Sequence, residues 1–312
     1  MQTVNNLHHI RTINGNKGYN LPNLSKVGVT KNHWPICLLE YANMQLYKQK
    51  QGYTFDLDTP RTFTEKIQWQ KTRFKRQDIV RYVDKYLFKQ LIKEKLGDGF
   101  TIPMYGAWTN VNDFRNAWDS LPEKFCLKST LQSDGKYIKV IEKSQTDLEE
   151  LCNEVKEWLR PKNLLIHSFC SAYYKAVPRI LAEEYMESVK DQLYDYKFFC
   201  FDGKPYCIYA ATEHFQDEFY PISFYDLEWG QMDVQYGNHR KDFIPKPLHF
   251  DEMKEIAFKL CQGFPFIRVD FFDTPNKLYV AELTFYPGGG LTPYHPEEFN
   301  EKLGNMLHLK NK

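Results

Sequence analysis

The sequence predicts a mixed α/β protein with a helical N-terminal region. Three observations carry that expectation: helix-like periodicity over residues 35 to 96, alternation of strand-like and helix-like runs after residue 100, and a charged hairpin pattern near the C-terminus, "RVDFFDTPNKLYVAELTFYPGGG" at 268–290. Composition agrees with a folded chain. Its 312 residues are 42% hydrophobic, enough for a substantial core and for two or three lobes. Aromatic residues make up 16%, which suits thick cores and also clefts for flat or sugar-like ligands. The 41 basic and 40 acidic residues nearly cancel, which argues against a nucleic-acid partner.

The elements follow in order. Residues 1 to 30 are rich in Asn, Gly and His without clear periodicity and read as an irregular extension. "PICLLEYANMQLYKQKQG" lies between a Pro and a Gly and reads as a helix, and "TPRTFTEKIQWQKTRF" begins a second one with Thr62 and Glu65 at capping-box spacing. A third, "DKYLFKQLIKEKLG", places Tyr86, Leu87, Leu91 and Ile92 on one face and stops at Gly97. Short β-runs "TIPMYGAW", "KFCLKST" and "YIKVIEK" come next, followed by a helix "DLEELCNEVKEWLRP". Strand-like "RILAEEYM" precedes "DYKFFCFDGKPYCIYAAT", which turns at Asp202-Gly203. A helix "FDEMKEIAFKLCQGF" leads into the charged hairpin.

Charge is placed unevenly. Residues 1 to 80 hold twelve Lys/Arg against five Asp/Glu, including Lys71, Arg73, Lys75 and Arg76. Such a cluster reads first as a solvated face, and otherwise as a surface for an anionic polymer or the inner membrane leaflet. Seven scattered cysteines without a C-x-x-C pair fit reduced thiols in a cytoplasmic protein. No signal-peptide core and no run of about 20 apolar residues is visible.

In the hairpin, Arg268 and Asp270 share one face of the first strand, and Glu282 and Thr284 share one face of the return strand. A loop with an odd number of residues would set Asp270 opposite Glu282. Facing carboxylates repel and need a positive partner. Oxygen-only ligands favour Mg²⁺ or Mn²⁺, bound through one or two carboxylates together with water and substrate phosphate. The alternative is a salt bridge from Arg268 to Asp270 on an exposed sheet face, with Glu282 in solvent. Three glycines after the strand let backbone N–H groups approach a ligand.

The ordered series "PRTFTEKIQWQK", "DKY", "CLK", "PRILAEEYM", "DYKFFCFDGKP", "FPFIRVDFF", "AELTFYPGGG" and "PEEFNEKLG", over about residues 55 to 305, resembles the TupA-like branch of the ATP-grasp superfamily, typed by teichuronopeptide biosynthesis proteins. The resemblance implies an α+β ATP-grasp fold, two α+β lobes clamping ATP, behind the N-terminal helices. The divisions expected are 1–84 (helical, basic), 85–125 (first α/β segment), 126–187 (lid subdomain and hinge) and 188–312 (C-terminal lobe with the metal site). It further implies that Lys85 and Lys128 approach the phosphates, that Glu183, Glu184 and Met186 bind adenine, and that Asp195 accepts from ribose. Asp270 and Glu282 become magnesium ligands with Thr284 beside them, Arg268 stabilises the transferred group, and Gly288 and Gly289 supply oxyanion-binding amides.

Two departures from the family pattern stand out. The metal motif ends "ELT" where superfamily ligases commonly have E-x-N, so Thr284 offers a hydroxyl. The loop after Lys128 reads "KSTLQSDGK" where branch members tend toward "KxNHGSG"; Ser129, Ser133, Gly135 and Lys136 are the groups it offers to phosphate. The implied activity is an ATP- and Mg²⁺-dependent ligase joining a small amine or amino acid to a carboxylated sugar or lipid-linked anionic glycan, in capsule or other cell-surface polysaccharide biosynthesis, with peripheral contact to the inner membrane. Arg61, Lys66 and Lys71 are candidates for an anionic acceptor. Two other readings stay open at this point: an ATP-grasp phosphotransferase acting on a sugar, and a non-catalytic nucleotide-binding scaffold. The histidines read as structural or surface residues, with His295 the best outsider because it follows the glycines.

Overall fold

The computed structural model describes residues 36–76, 78–131, 137–160, 172, 176–186, 194–212, 220–239 and 241–309. The expected N-terminal extension lies outside them. The described residues start with helix α1 (Ile36–Gln51), followed by α2 (Phe63–Arg73). At α2 the anticipated capping box is present: Thr62 accepts from the Glu65 N–H, and the Glu65 carboxylate accepts from the Thr62 N–H. A single turn, α3 (Val80–Val83), precedes α4 (Lys85–Leu96), which Asp84 caps at the start and Gly97 ends with φ of +94°. The buried face of α4 is Phe88, Leu91 and Ile92, while Tyr86 and Leu87 are half-buried. The expected face was therefore rotated by about one residue.

A small antiparallel sheet follows. It holds β1 (Met104–Trp108), β2 (Lys124–Ser129), β3 (Ile138–Glu142) and β4 (Ile180–Glu184) in the order β1-β4-β2-β3. Helices α5 (Val111–Ala117) and α6 (Leu148–Trp158) cover one face, where Phe114, Phe125, Leu127, Ile141, Val155, Trp158, Ile180 and Ala182 form a core. Alternation along β2 and β4 turns Cys126, Lys128, Leu181 and Glu183 to the other face. The strands on either side of the division expected at residue 125 thus share one sheet.

A second sheet is larger. It is built from β5 (Tyr194–Phe201), β6 (Lys204–Thr212), β7 (Ile222–Tyr225), β8 (Gln231–Met232), β10 (Phe266–Thr274) and β11 (Lys277–Thr284), in the order β11-β10-β5-β6-β7-β8. Asp202 and Gly203, at φ of +45° and +77°, make the tight turn between β5 and β6 that their sequence anticipates. One face packs Phe198, Ile208, Ile267, Val269 and Phe271 against α4 and against α7 (Phe250–Leu260). The other face packs Phe199, Phe201, Phe224 and Phe266 against α2 and α8 (Glu297–Met306), through Phe63, Ile67, Phe299 and Leu303. A short pair, β9 (Gln235–Tyr236) with β12 (Tyr294–His295), closes that side. None of β7, β8, β9, β12, α5 or α8 was anticipated. Most are brief, and their short apolar runs carry little periodicity.

The place of α2 corrects the reading of the basic region. Nearly the whole helix is buried between the large sheet and α8. Lys66 donates to the carbonyls of Gly304 (2.8 Å) and Leu307 (3.0 Å) at the end of α8, and burial lowers its pKa. Lys71 is 3% exposed and reaches the Gly289 carbonyl at 3.3 Å. Arg73 pairs with Glu40 and Asp58, and Arg76 with Asp78. Neither Lys66 nor Lys71 presents a surface to an anionic acceptor; of the three candidates only Arg61 is exposed. The described cysteines, Cys126, Cys152, Cys200, Cys207 and Cys261, are free thiols.

Candidate active site

The site lies where the small sheet, α4 and the edge of the large sheet meet. On β10 and β5, one face passes from apolar to charged side chains along the strands. Phe266 and Phe199 belong to the core, whereas Arg268, Asp270, Asp195 and Lys197 extend the same face toward the small sheet. Asp270 pairs with Lys197 across the strands on one side and with Glu282 on the other. Arg268 binds Asp270 through Nε (2.7 Å) and a terminal nitrogen (2.5 Å), and donates to the Thr284 hydroxyl at 3.2 Å. Lys197 pairs with Asp195 and lies 3.4 Å from Asp270.

These ionic groups are desolvated. Burial opposes the charge on Arg268, but Asp270, Glu282 and Asp195 outweigh it and hold the guanidinium above its ordinary pKa. Lys197 is raised in the same way, burial being overcome by Asp195 and Asp270. Burial raises the pKa of Asp195, with Lys197 opposing and Asp270 reinforcing the rise. One oxygen of Asp195, Oδ1, is buried with no hydrogen-bond partner, as is the Ser129 hydroxyl at the end of β2. Such orphans are costly unless a ligand satisfies them.

Facing this cluster is a second one. Glu183 on β4 pairs with Lys128 on β2 and with Lys89 on α4, the latter at 2.7 Å. Burial alone would raise the Glu183 carboxyl, yet the two lysines bring it down to about 2. At Lys89 the balance reverses: burial lowers its pKa, because it has one carboxylate and a like charge in Lys128. Lys89 also donates to the Ile102 carbonyl at 2.6 Å. Lys85, one turn earlier on α4, lies 3.8 Å from Glu282. A small cavity of about 40 Å³ is lined by Lys85, Lys89, Lys128, Glu183, Phe272 and Ala281.

Of the expected residues, Lys85, Lys128, Glu183, Asp195, Arg268, Asp270, Glu282 and Thr284 thus fall into one neighbourhood. Glu184 ends β4, and its N–H donates to the Pro103 carbonyl; Met186 follows it, half-buried. Lys136, with Ser133 and Gly135, lies outside the described residues. The glycine turn has left-handed φ at Gly288 (+57°), Gly289 (+63°) and Gly290 (+66°). The Gly289 N–H donates to the Tyr286 carbonyl, and the Gly289 carbonyl accepts from Gln68 and Lys71. His295 is exposed. Sequence reasoning missed Lys89 and Lys197, although the signals were there: Lys89 is one helical turn from Lys85, and Lys197 stands two residues from Asp195 on a strand.

Among the described residues no three His, Cys, Asp or Glu side chains converge as a metal site. Asp195, Asp270 and Glu282 are already balanced by Lys197, Arg268 and Lys85. Asp270 and Glu282 fit an ion that shares its coordination with a triphosphate, the usual habit of Mg²⁺, and do not make a cage for the ion alone.

Two α+β units meeting over lysines on one side and paired carboxylates on the other are the architecture of an ATP-grasp protein. The sequence profile of the family described as TupA-like ATPgrasp matches residues 65–308, and the chain belongs to that family. No curated protein matches it. Among solved structures it is similar to D-alanine-D-alanine ligase from Helicobacter pylori, at 19% identity over 73% of this chain and 61% of that one, with a TM-score of 0.46. It is also similar to D-alanine-D-alanine ligase from Bacillus anthracis complexed with ATP, at 15% identity over 84% and 72%, TM-score 0.42. A third is phosphoribosylamine-glycine ligase from Thermotoga maritima, at 10% identity over 67% and 49%, TM-score 0.40. The chain spans 61% of the length of the Helicobacter ligase. The family match alone carries the assignment.

Proposed function

We propose that the protein is an ATP- and Mg²⁺-dependent ligase that joins a carboxylate to an amine. The observation that carries this reading is the approach of Lys85 on α4 to Glu282 on β11, beside an Asp270 that faces Glu282. It brings a phosphate-binding cation and two metal-type carboxylates to one point. The orphaned Asp195 oxygen and Ser129 hydroxyl support a polar ligand there.

In this reading Lys85 and Lys128, with Ser129 and Lys136, bind the triphosphate. Glu183, Glu184 and Met186 bind adenine, and Asp195 Oδ1 takes a ribose hydroxyl. Asp270, Glu282 and Thr284 hold Mg²⁺, which when bound neutralises phosphate charge. A substrate carboxylate oxygen attacks the γ-phosphorus, the bond to the bridging oxygen of ADP breaks, and an acylphosphate results. Arg268 offsets charge on the transferred phosphoryl group. The amine then attacks the acyl carbon, phosphate departs, and the amine proton is released. The Gly289 amide already donates within its turn, so the Gly288 amide takes the oxyanion role.

The acceptor we propose is a carboxylated sugar of a cell-surface polysaccharide, either free or lipid-linked, with an amino acid or small amine as the second substrate. The reaction would take place inside the cell. Among the described residues no helix is long and apolar enough to cross a membrane.

The test is to supply Mg·ATP, uronic acids and hydroxylamine, which captures acylphosphates as hydroxamates. Hydroxamate with equimolar ADP is the expected result. A phosphate ester on the sugar without hydroxamate would replace the ligase reading with that of a phosphotransferase. ATP binding with neither product would leave a non-catalytic nucleotide-binding scaffold.

A further inference from the structure

The two lysines that the proposed function sets against phosphate sit on different units: Lys85 on α4, which packs on the large sheet, and Lys128 on the small sheet. Something must fix their spacing. Both lie next to one buried polar junction. Asp84, fully buried, caps α4 by accepting from the N–H groups of Tyr86 (2.9 Å) and Leu87 (3.0 Å) through Oδ1. Its Oδ2 accepts from the Arg179 guanidinium at 3.1 Å. Arg179 precedes β4 and lies over the Tyr86 ring at 4.7 Å.

Thr130, two residues beyond Lys128, closes the junction. Its carbonyl accepts from the Lys85 N–H at 3.2 Å, its N–H donates to the Arg179 carbonyl at 3.1 Å, and its hydroxyl accepts from the Arg179 N–H at 3.1 Å. Thr130 is completely buried. The backbone of Lys85 is therefore bonded directly to the strand end that carries Lys128. The same junction holds the start of β4, whose Glu183 meets Lys128 and Lys89.

We propose that Asp84, Thr130 and Arg179 form a latch between the two units that sets the spacing of Lys85 and Lys128 and thereby the affinity for the phosphates of the nucleotide. They are positioning residues and contact no ligand themselves. A buried carboxylate could cap α4 without an arginine, and Arg179 could be satisfied by solvent. Their union across two units, at the residue next to Lys85 and two residues past Lys128, is what a local capping role does not require. The proposal rests on the nucleotide-binding reading above.

The test compares Mg·ATP with AMP, which lacks the β- and γ-phosphates, by calorimetric titration. Removing the buried Asp84 charge would strand Arg179 and threaten folding, so the variants are Arg179→Lys and Thr130→Val. Both keep local volume and leave every proposed ligand-contacting side chain in place. The expected result is a loss of about tenfold or more in Mg·ATP affinity, as small displacements of charged groups produce, with AMP affinity unchanged. A purely structural role would lower the melting temperature and leave the ATP-to-AMP affinity ratio as in wild type, which would overturn the latch. Failure of the wild type itself to bind ATP would overturn the nucleotide reading, and the latch with it, and that outcome is distinct from a variant-specific null.

Discussion

Asp270 stands directly across from Glu282, although the two-residue turn between their strands would by itself have placed it opposite Ala281. From Thr274 paired with Lys277 as far as Phe271 paired with Val280, the ladder runs in the register that Pro275 and Asn276 dictate. A bulge at Ala281 then shifts β11 by one residue, and Glu282 and Thr284 come to face Asp270 and Arg268. The bulge re-aims a carboxylate into the site while Val280 and Leu283 both remain in the core.

Replacing Glu282 with Gln keeps shape and fold, because this side chain is 37% exposed and the ion pair it makes is a long one, the 3.8 Å contact with Lys85. Wild type should be stabilised by ATP and Mg²⁺ together, by about 2.7 kcal/mol at a hundredfold excess over Kd, and by neither alone. Glu282→Gln should lose that increment in a thermal-shift titration while keeping its ligand-free melting temperature. An undiminished increment would remove Glu282 from the metal site.

Glu183 should make acid stability distinctive. Its folded pKa is about 2 against an ordinary 4.5, so its contribution is complete above the ordinary value and is lost as pH falls through the folded one. Glu183→Gln strands Lys89 and Lys128 and should cost about 3 to 5 kcal/mol at neutral pH. Urea denaturation at stepped pH should show the gap between wild type and variant closing between these two pKa values. A constant gap would mean that the carboxylate is not held ionised by its lysines.

The charged hairpin was legible because period-2 alternation assigns faces without knowledge of the fold. Arg268 with Asp270, and Glu282 with Thr284, follow from it directly. The parity argument for Asp270 facing Glu282 reached the right pair by a different route, since the loop is even and Ala281 carries no signal of a bulge. The salt-bridge reading of the hairpin holds in part: Arg268 does bridge Asp270, but the pair is buried, and Glu282 meets Lys85. Lys66 and Lys71 were misread for a physical reason. Whether Lys66 and Lys71 are solvated depends on α8 and the glycine turn packing over α2, which are contacts from the far end of the chain.

Lys66 accordingly predicts a stability effect with no binding effect. Its ammonium donates to carbonyls at the end of α8, to that of Leu307 and to that of Gly304, which also accepts from the Leu307 N–H. Lys66→Met should lower stability by about 1 to 2 kcal/mol in urea and leave binding of Mg·ATP and of an anionic glycan such as polygalacturonate unchanged. Weakened glycan binding at unaltered stability would restore Lys66 to an acceptor surface.

The glycine turn separates backbone conformation from space. Gly289 and Gly290 have nearly the same left-handed φ, so a side chain at either should cost about 1 to 2 kcal/mol in conformation alone. A Cβ on Gly289 would meet nothing closer than 3.7 Å, whereas one on Gly290 would fall 2.6 Å from Gln68 Nε2 and 2.7 Å from Ile67 Cγ2. Gln68 is the residue that binds the Gly289 and Gly290 carbonyls, and Ile67 is fully buried, so neither can retreat cheaply. Gly290→Ala should therefore lose roughly 1 to 3 kcal/mol more than Gly289→Ala in parallel urea titrations. Equal losses would mean that α2 yields to the turn, and that its grip on the glycines is weaker than their hydrogen bonds indicate.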